Sequence, residues 1–469
     1  MTTAPATDPT AERRVVALAA AGTLITLVAF TAPLATLGAT GDAVGAGVEG
    51  RTWILSSMSI GLTAALLPAG AVADDLGRRR TFVLGLLVQA LTAIVCVVAP
   101  TTLVFVLARV AQGVGGAATV AASLGMIAHV VPAGPRRAAA SGVWGAALGG
   151  GIAAGPLLAA AGDRWLRWWA VYVVLAVAAV VVGVLATRLV AESRTHAPRG
   201  LDLAGGTLLA GGVSALLAAL VEGRRDPTAP TVLALAALAI LLLVGFVVVE
   251  RTSRAPMLDL ALLRHPPFLA ATVGGLANGA GPIALMAFLG IFSEQALGVT
   301  PLAAALLLLC WSGTSIVFSL LARRLPASWS GRHQLAAGLA VVGVGLLMLG
   351  WLSTSSGSGR LVPGLLVAGV ASGVLNAALG REAVASVPDG RGSMGSGANN
   401  TARYLGSAVG VTVVAVVVAA HGSTPADLVA GWNTAVLVVA GFAFAGAVVV
   451  ALARPRRAST MQGGTPSTR

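Results

Sequence analysis

The chain has 469 residues, of which 57% are hydrophobic and only 10% are charged, and its mean hydropathy is +0.90. Charged residues make up about a quarter of an ordinary soluble domain, so this composition excludes a soluble globular protein. Apolar runs of about 20 residues, the length that crosses a hydrocarbon core about 30 Å thick, recur along the sequence. The composition therefore predicts a helical membrane protein with many spans.

The basic residues are all arginine, and the formal net charge is +13. A phosphate-binding GxxxxGK[ST] loop needs a lysine, so nucleotide hydrolysis by that device is excluded. The arginines are dispersed between apolar runs and form no basic face, so no nucleic-acid partner is expected. The five histidines and two cysteines are also scattered, and we expect neither a metal site nor a cofactor.

The apolar runs divide into fourteen predicted membrane-spanning helices, numbered spans 1 to 14 in chain order. Charged residues, proline or glycine bound each of them. The predicted spans are residues 15–39, 52–73, 81–99, 103–131, 140–161, 168–190, 203–221, 230–249, 267–290, 301–322, 334–352, 361–380, 396–420 and 430–453.

The arginines are distributed unevenly between the two sides of the membrane. If the N-terminus is cytoplasmic, 22 of the 30 arginines fall in inside segments, six fall in outside segments and two lie within spans. Cytoplasmic loops carry an excess of arginine, so both termini are predicted to be cytoplasmic. The first apolar run is too long for a signal peptide, and we expect it to be retained as span 1. Abundant glycine and alanine with arginine as the only base are typical of a GC-rich bacterial source, which indicates the bacterial inner (plasma) membrane.

Five charges interrupt the apolar sequence between spans 2 and 3, in GAVADDLGRRRTF (residues 70–82). A degraded version of this loop, LLARRLPASWSGRH, lies between spans 10 and 11. Parallel repeats of six helices are typical of transporters whose two halves move about a midplane site. Spans 1–6 and 9–14 are therefore predicted to be the halves, with spans 7 and 8 as an inserted pair.

The predicted organisation follows from these repeats. It consists of a cytoplasmic N-terminal tail (1–14), an N-terminal six-helix bundle (15–190), cytoplasmic linkers with the inserted pair (191–265), a C-terminal six-helix bundle (266–453) and a cytoplasmic C-terminal tail (454–469).

Three motifs resemble those of the major facilitator superfamily. The loop at residues 70–79 resembles the superfamily signature G-x-L-a-D-r-x-G-r-r, and RVAQGVGGAA (109–118) in span 4 resembles R-x-x-q-G-x-g-a. In span 5, GGGIAAGPLLAA (149–160) resembles the exporter element g-x-x-x-G-P-x-x-G-G, with Ala159 and Ala160 in place of the last two glycines. The resemblance implies an all-α integral membrane protein with the major facilitator fold.

The branch of the superfamily is indicated by further stretches beyond span 6. These stretches resemble the corresponding ones of the superfamily's fourteen-helix drug:proton antiporters. They are residues 201–206, 221–223, 247–265 and 397–411. This resemblance implies a secondary-active multidrug or small-molecule exporter that works by proton antiport.

For the loop between spans 2 and 3, the resemblance implies a gate formed by Gly70, Asp74, Gly77, Arg78 and Arg79. Opposite charges at the membrane boundary stabilise one conformation if they pair only when the two halves close. The alternative is that the arginines are cytoplasmic anchors beside a tight turn. The residue after Asp74 is also acidic, where the superfamily usually has a basic residue.

Arg109 is a charge inside span 4, where an isolated charge costs at least ~2.5–3.5 kcal/mol. It is expected to face the bundle interior with a polar partner, and Gln112 is the nearest one in sequence. The resemblance assigns this arginine to proton relay. Spans 1 and 13 contain no acid, so Asp74 and Glu294, at the outer end of span 9, are the carboxylates left for coupling. Coupling through the substrate's own ionisation, or no coupling, stays open.

Span 5 carries Gly151, Gly155 and Pro156. The two glycines allow a neighbouring helix to approach, and the proline removes one backbone hydrogen bond. A plain packing face would explain them as well, but the resemblance adds a direction, because this element belongs to exporters.

Polar side chains in spans 12 and 13 are the candidates for the substrate cavity in the second half. They are Asn376, Asn399, Asn400 and Arg403. Interhelical hydrogen bonds without substrate contact are the alternative.

These features predict export of a small amphipathic substrate through a midplane cavity with mostly apolar walls, coupled to protons. The scarcity of buried acids disfavours multivalent cationic substrates. We expect a monomer in the lipid bilayer with no catalytic residue. A metabolite or nutrient carrier without proton coupling is the alternative, and a membrane enzyme or channel is disfavoured because no nucleophile and base set is visible.

Overall fold

The computed structural model describes residues 9–195, 200, 202–224, 226–253, 255–326 and 329–453. These residues form helices joined by short turns. The α-helices are α1 (Pro9–Thr31), α2 (Pro33–Ala43), α3 (Val48–Leu76), α4 (Arg78–Val98), α5 (Thr102–Val130), α6 (Pro135–Trp165), α7 (Ala170–Leu189), α8 (Leu203–Glu222), α9 (Pro230–Thr252), α10 (Pro266–Asn278), α11 (Ala284–Leu297), α12 (Pro301–Leu321), α13 (Gly331–Leu347), α14 (Val362–Ala385), α15 (Gly392–Ala419) and α16 (Pro425–Leu452). Three 3₁₀ helices (Leu260–Arg264, Ala322–Arg324 and Ser358–Leu361) and a π-helical turn (Gly279–Ile283) lie between them.

Each of the fourteen predicted spans corresponds to helical structure. Span 1 is α1 with α2, spans 2 to 8 are α3 to α9, span 9 is α10 with α11, and spans 10 to 14 are α12 to α16. Among the described residues, thirteen helical stretches are long and apolar enough to cross a membrane, and α13 is a shorter apolar helix of 17 residues. The prediction of fourteen apolar helices is therefore confirmed.

Two spans are not the single helices that the sequence predicts. Span 1 breaks at Ala32, because Pro33 has no N–H to donate to the carbonyl oxygen of Ala29. Span 9 contains the π-helical turn, where Pro282 likewise leaves the carbonyl oxygen of Asn278 without its helical donor. Hydropathy alone does not register these breaks, since all the residues around them are apolar or small.

The predicted bounds of span 11, residues 334–352, lie several residues closer to the C-terminus than the observed helix α13. Its helix begins at Gly331, because the hydroxyl of Ser330 accepts the backbone N–H of His333 and so caps the first turn. The helix ends at Leu347, five residues before the predicted end.

Each half of the molecule has its own apolar core. In the first half, Phe105 makes edge contacts with Trp168 and Tyr172, whose ring centroids lie 6.2 and 5.8 Å away. In the second half, Phe292 stacks on Trp432 at 4.0 Å between ring centroids. The inserted helix α8 packs on α3 and α15, and α9 packs on α8.

The two halves meet where α3 and α5 pack against α15, and where α6 packs against α12 and α14. Glycines permit this approach, since a Cβ on Gly70 would overlap the carbonyl oxygen of Ser393. Ser319 of α12 donates a hydrogen bond to the carbonyl oxygen of Gly142 in α6 at 3.0 Å. These contacts lie toward the end of the bundle that carries the α3–α4 turn, which we call the gate end.

Candidate functional site

A buried ion pair of the first half forms three hydrogen bonds to the backbone of the second half at the gate end. The side chains of Asp74 and Arg78 are 0% and 3% exposed, and Arg78 Nε and Nη2 each lie 2.9 Å from Asp74 Oδ1. The backbone N–H groups of Ser393 and Met394 donate to the Asp74 carboxylate at 3.2 and 2.8 Å. Arg78 Nη2 also donates to the carbonyl oxygen of Gly390 at 2.8 Å. Because a helix N-terminus carries a partial positive charge, the start of α15 is a suitable partner for this carboxylate.

Asp75, the acid that departs from the superfamily pattern, forms an ion pair that crosses between the halves. Arg391 Nη1 lies 2.9 Å from Asp75 Oδ1, and both side chains are nearly buried. The two residues are 316 positions apart in the chain, so their spacing gave no indication of the pair. The additional carboxylate therefore adds a bond that closes the same gate.

Arg79 binds a different carboxylate from the one bound by Arg78. Its Nε lies 3.7 Å from Glu192 Oε2, and its Nη1 donates to the carbonyl oxygen of Val190 at 3.1 Å. The Glu192 carboxylate also accepts the backbone N–H groups at the start of α4. Gly77 has φ 131°, and a Cβ there would lie 2.7 Å from Glu192 Oε1, so only glycine fits this turn. Of the two arginines expected to face Asp74, only Arg78 does so.

Gly70→Ala is expected to slow export by about tenfold, because the added methyl group collides with backbone only while the gate end is closed. The measurement is the initial rate of substrate efflux from cells that express matched amounts of protein. Gly38→Ala in α2 is the control, since no atom lies within 4 Å of a Cβ built there. Equal rates for both variants would contradict the close approach at Gly70.

Arg109 is fully buried and forms hydrogen bonds to the backbone at the break between α1 and α2. Its Nη1 donates to Gln112 Oε1 at 2.6 Å, which is the partner that the sequence predicts. The same atom donates to the carbonyl oxygen of Ala29 at 2.8 Å, and Nη2 donates to that of Phe30 at 3.4 Å. The Ala29 carbonyl is the one that Pro33 leaves without a helical donor. A guanidinium thus replaces the missing backbone N–H.

The span 5 motif packs α6 against α1 beside this break. A Cβ on Gly151 would lie 2.5 Å from the Cβ of Leu27, and a Cβ on Gly155 would overlap the hydroxyl of Thr31. That hydroxyl lies 3.4 Å from the carbonyl oxygen of Gly151, to which it donates. Pro156 follows inside α6, which continues as a helix to Trp165.

A small closed cavity of about 30 Å³ lies between the halves, beyond the gate. Its lining residues are Leu27, Phe30, Leu148, Gly149, Ile152, Asn278, Ile283, Trp311, Ser312, Ser315, Asn376, Arg403 and Tyr404. A cavity of this size holds a water molecule or two, whereas drug-sized ligands occupy about 300–1,000 Å³. The halves must therefore separate before a substrate of that size can enter.

Asn376 and Arg403 are the predicted cavity residues that line this space. Asn376 Oδ1 accepts a hydrogen bond from Asn278 Nδ2 at 3.3 Å. Asn278 was not among the predicted cavity residues, although a lone amide in the middle of an apolar span is the signal that could have identified it.

Asn399 and Asn400 are buried but do not line the cavity. Asn399 Nδ2 donates to the carbonyl oxygen of Ala271 at 2.6 Å and so ties α15 to α10. Asn400 Nδ2 donates to the carbonyl oxygen of Ser396 within its own helix.

Arg403 presents a buried guanidinium to the cavity. It is 3% exposed, and its Nε and Nη2 have no hydrogen-bond partner. Close packing places it there, because a Cβ on Gly279 would overlap the Arg403 carbonyl oxygen and a Cβ on Gly406 would overlap that of Leu276. No described residue that lines the cavity is acidic, so the arginine has no carboxylate opposite it.

The remaining carboxylates lie away from the cavity. Glu294 is exposed near the end of α11. Glu250 is buried in α9, which extends to Thr252 rather than ending at residue 249 as predicted, and its Oε2 accepts the backbone N–H of Leu258 at 3.2 Å. Glu250 Oε1 and Asp202 Oδ2 have no hydrogen-bond partner, and both lie within 3.0 Å of the position of a Cβ on Gly205. Within the described ranges, no three His, Cys, Asp or Glu side chains are grouped so as to hold a metal ion.

Two helical bundles that close across a central cavity define an alternating-access carrier. Residues 15–411 match the family model described as Major Facilitator Superfamily, and the chain belongs to this superfamily. The predicted major facilitator fold of fourteen helices is confirmed.

Relatives and solved structures agree with this assignment. The chain is 30% identical to the Mycobacterium tuberculosis multidrug resistance protein Stp over 80% of its own length and 70% of that protein. It is 27% identical to the multidrug efflux pump LfrA of Mycolicibacterium smegmatis over 87% of its length and 81% of that protein. The crystal structure of the human organic anion transporter MFSD10 superposes with a TM-score of 0.67, covering 94% of this chain and all of that one. At 20% identity, this last likeness shows the fold alone.

Proposed function

We propose that the protein is a secondary-active exporter that moves a small amphipathic molecule across the membrane by alternating access. The observation that carries the proposal is the gate, in which Asp74 bonds to both halves at one end of a closed central cavity. The names of the relatives support export, since Stp is a multidrug resistance protein and LfrA is a multidrug efflux pump. The packing of the exporter motif of α6 on α1 supports the same direction.

The proposal includes a location and an orientation. The protein acts as a monomer in the bacterial inner membrane, with both termini and the gate end in the cytoplasm, as the distribution of the arginines predicts. The moving halves are residues 15–190 and 266–453, and the inserted pair α8–α9 moves with α3, on which α8 packs.

Proton antiport is the coupling mode that we propose first, with Arg109, Gln112 and Glu294 as the relay candidates. Arg109 remains charged, since a guanidinium does not deprotonate in proteins, so it can only position a proton carrier. A carrier without proton coupling is the second candidate. It is favoured by one observation, that no described side chain lining the cavity is a carboxylate.

The test of export uses a bacterial strain without its own efflux pumps. Cells that express the protein are expected to tolerate higher concentrations of a subset of toxic amphipathic compounds and to retain less of them. Vector-only cells are the control. Equal tolerance and equal retention across a broad panel of compounds would refute export.

Purified protein in proteoliposomes then separates the two coupling modes. An antiporter is expected to lose uphill transport when nigericin collapses the pH gradient, whereas a carrier without proton coupling is expected to keep its rate.

A further inference from the structure

We propose that the central cavity binds an organic anion and that Arg403 is the residue that holds its charge. The ligand class is an amphipathic aromatic carboxylate or phenolate. The proposal deepens the export function given above and rests on it only for the direction of movement, because binding can be measured without transport.

Arg403 differs from the other buried arginines of the described chain in what it contacts. Four arginines are buried, and three of them have evident partners. Arg78 and Arg391 pair with carboxylates, and Arg109 donates to backbone carbonyl oxygens and an amide. Arg403 has neither, and two of its nitrogen atoms are buried without any hydrogen bond.

A guanidinium stays charged in a protein, so Arg403 cannot lower the cost of burial by losing its proton. Removing a charge from water is unfavourable unless a charge of opposite sign or several hydrogen bonds compensate for it. Each of the other buried guanidinium groups has at least one carboxylate, carbonyl or amide partner, although one nitrogen of Arg109 and one of Arg391 are also without a hydrogen bond. Arg403, which has two such nitrogens and no carboxylate, lines the cavity between the halves. A ligand that carries a negative charge supplies the missing partner, and a carboxylate matches the two parallel N–H donors of guanidinium.

The walls of the cavity indicate the rest of the ligand. On the first half, Leu27, Phe30 and Ile152 present apolar surface. On the second half, the ring of Tyr404 meets that of Phe30 edge to face at 5.9 Å between centroids, and Trp311 lies nearby with its indole N–H donated to a serine. An aromatic body fits between such side chains when the halves separate. One end of the ligand is therefore apolar and the other is anionic.

An organic cation is disfavoured by the same residues. It would meet the positive charge of Arg403 in a region of low dielectric constant, where repulsion between like charges is strong. No described side chain that lines the cavity offers a compensating carboxylate.

The experiment uses the full-length protein in lipid nanodiscs and three fluorescent probes with the same aromatic body. They are 1-pyrenebutyrate, its neutral methyl ester and the matched trimethylammonium cation. The wild type is expected to bind the carboxylate at least about tenfold more tightly than the ester, because only the carboxylate forms charge-assisted hydrogen bonds. A carboxylate affinity no greater than that of the ester or the cation would overturn the proposal.

Substitution of the arginine gives the decisive comparison. In Arg403→Gln, the ratio of carboxylate to ester affinity is expected to fall to near one, and in Arg403→Lys part of the preference is expected to remain. Arg360→Gln is the matched control, because it removes an exposed arginine that does not line the cavity. A ratio of carboxylate to ester affinity in Arg403→Gln equal to that of the wild type would overturn the proposal. The ratio is measured within one protein sample, so partial loss of folded protein does not alter it.

Thermal unfolding gives an independent readout. Without ligand, Arg403→Gln is expected to melt no lower than the wild type, since the variant removes an unpaired buried charge. Saturating 1-pyrenebutyrate is expected to raise the melting temperature of the wild type and not that of the variant. A variant that melts lower and keeps its affinity ratio would show a purely structural arginine.

The outcomes also separate this proposal from the exporter proposal. Binding of the carboxylate through Arg403 with no transport in proteoliposomes would refute export and leave the anion site standing. Transport of the cation with no preference for the carboxylate would leave export standing and refute the anion site.

Discussion

Asp74→Asn is expected to abolish export and to leave the gate end open. The substitution removes the carboxylate that pairs with the buried Arg78 and accepts two N–H groups from the start of α15. Breaking a buried ion pair by removing one partner costs about 3–5 kcal/mol, because the other charge stays buried and uncompensated. The ion pair itself lies within the first half, but the two N–H donors come from α15 of the second half. Their bonds to the carboxylate form only in the closed state, so the substitution weakens that state and the equilibrium shifts to the open one.

The position of the gate is measured by the distance between two spin labels. Suitable sites are Ala133 and Ala385, which are exposed on opposite halves at the gate end, once Cys96 and Cys310 have been replaced by serine. The variant is expected to populate longer distances than the parent. Asp389→Asn is the matched control, because it removes an exposed carboxylate at the same end. Unchanged distances and unchanged efflux in Asp74→Asn would refute the gating role of this carboxylate.

Arg109→Met is expected to destabilise the protein by about 2 kcal/mol or more, since a buried acceptor left without a donor costs about 1–3 kcal/mol. Two acceptors lose their partner at once, the carbonyl oxygen of Ala29 and the amide oxygen of Gln112. The Ala29 carbonyl has no helical alternative, because the residue four positions on is Pro33. Efflux is expected to fall as well, because this helix break lies next to the surface of α1 on which α6 packs.

The stability prediction is measured as the melting temperature in nanodiscs. Arg360→Met, at an exposed arginine, is the control for loss of charge. The comparison with Arg403→Gln is the informative one. Both variants remove a buried guanidinium, yet Arg109→Met is expected to lower the melting temperature and Arg403→Gln is not. A melting temperature for Arg109→Met equal to that of the wild type would show that the carbonyl groups at the helix break need no donor.

The sequence alone was sufficient to predict the number of spans and the pairs of residues within one helical turn or across a tight turn. Gln112 follows Arg109 by three residues in one helix, so the two share a face, and Arg78 follows Asp74 by four residues across the tight turn at Gly77. The long apolar runs fixed the number of spans because the bilayer imposes the length of each one.

The contacts between the two halves could not be predicted from the spacing of residues along the chain. Arg391 is 316 residues from Asp75, and the carbonyl oxygen of Ala29 is 80 residues from Arg109. These partners meet only through the packing of different helices, and residue spacing along the chain does not predict that packing. The breaks at Pro33 and Pro282 were missed for another reason, since a hydropathy pattern counts apolar side chains and not backbone donors.

No described residue that lines the central cavity is a carboxylate, and this has a consequence for the energy source. An anion that leaves a cell moves with an inside-negative membrane potential, which releases about 2.3 kcal/mol for each charge and each 100 mV. That free energy sustains a concentration ratio of about 50 across the membrane. If Arg403 carries an organic anion outward, voltage is sufficient to drive the movement in the second coupling mode proposed above, and a carrier of that kind does not need the acid that span 1 lacks.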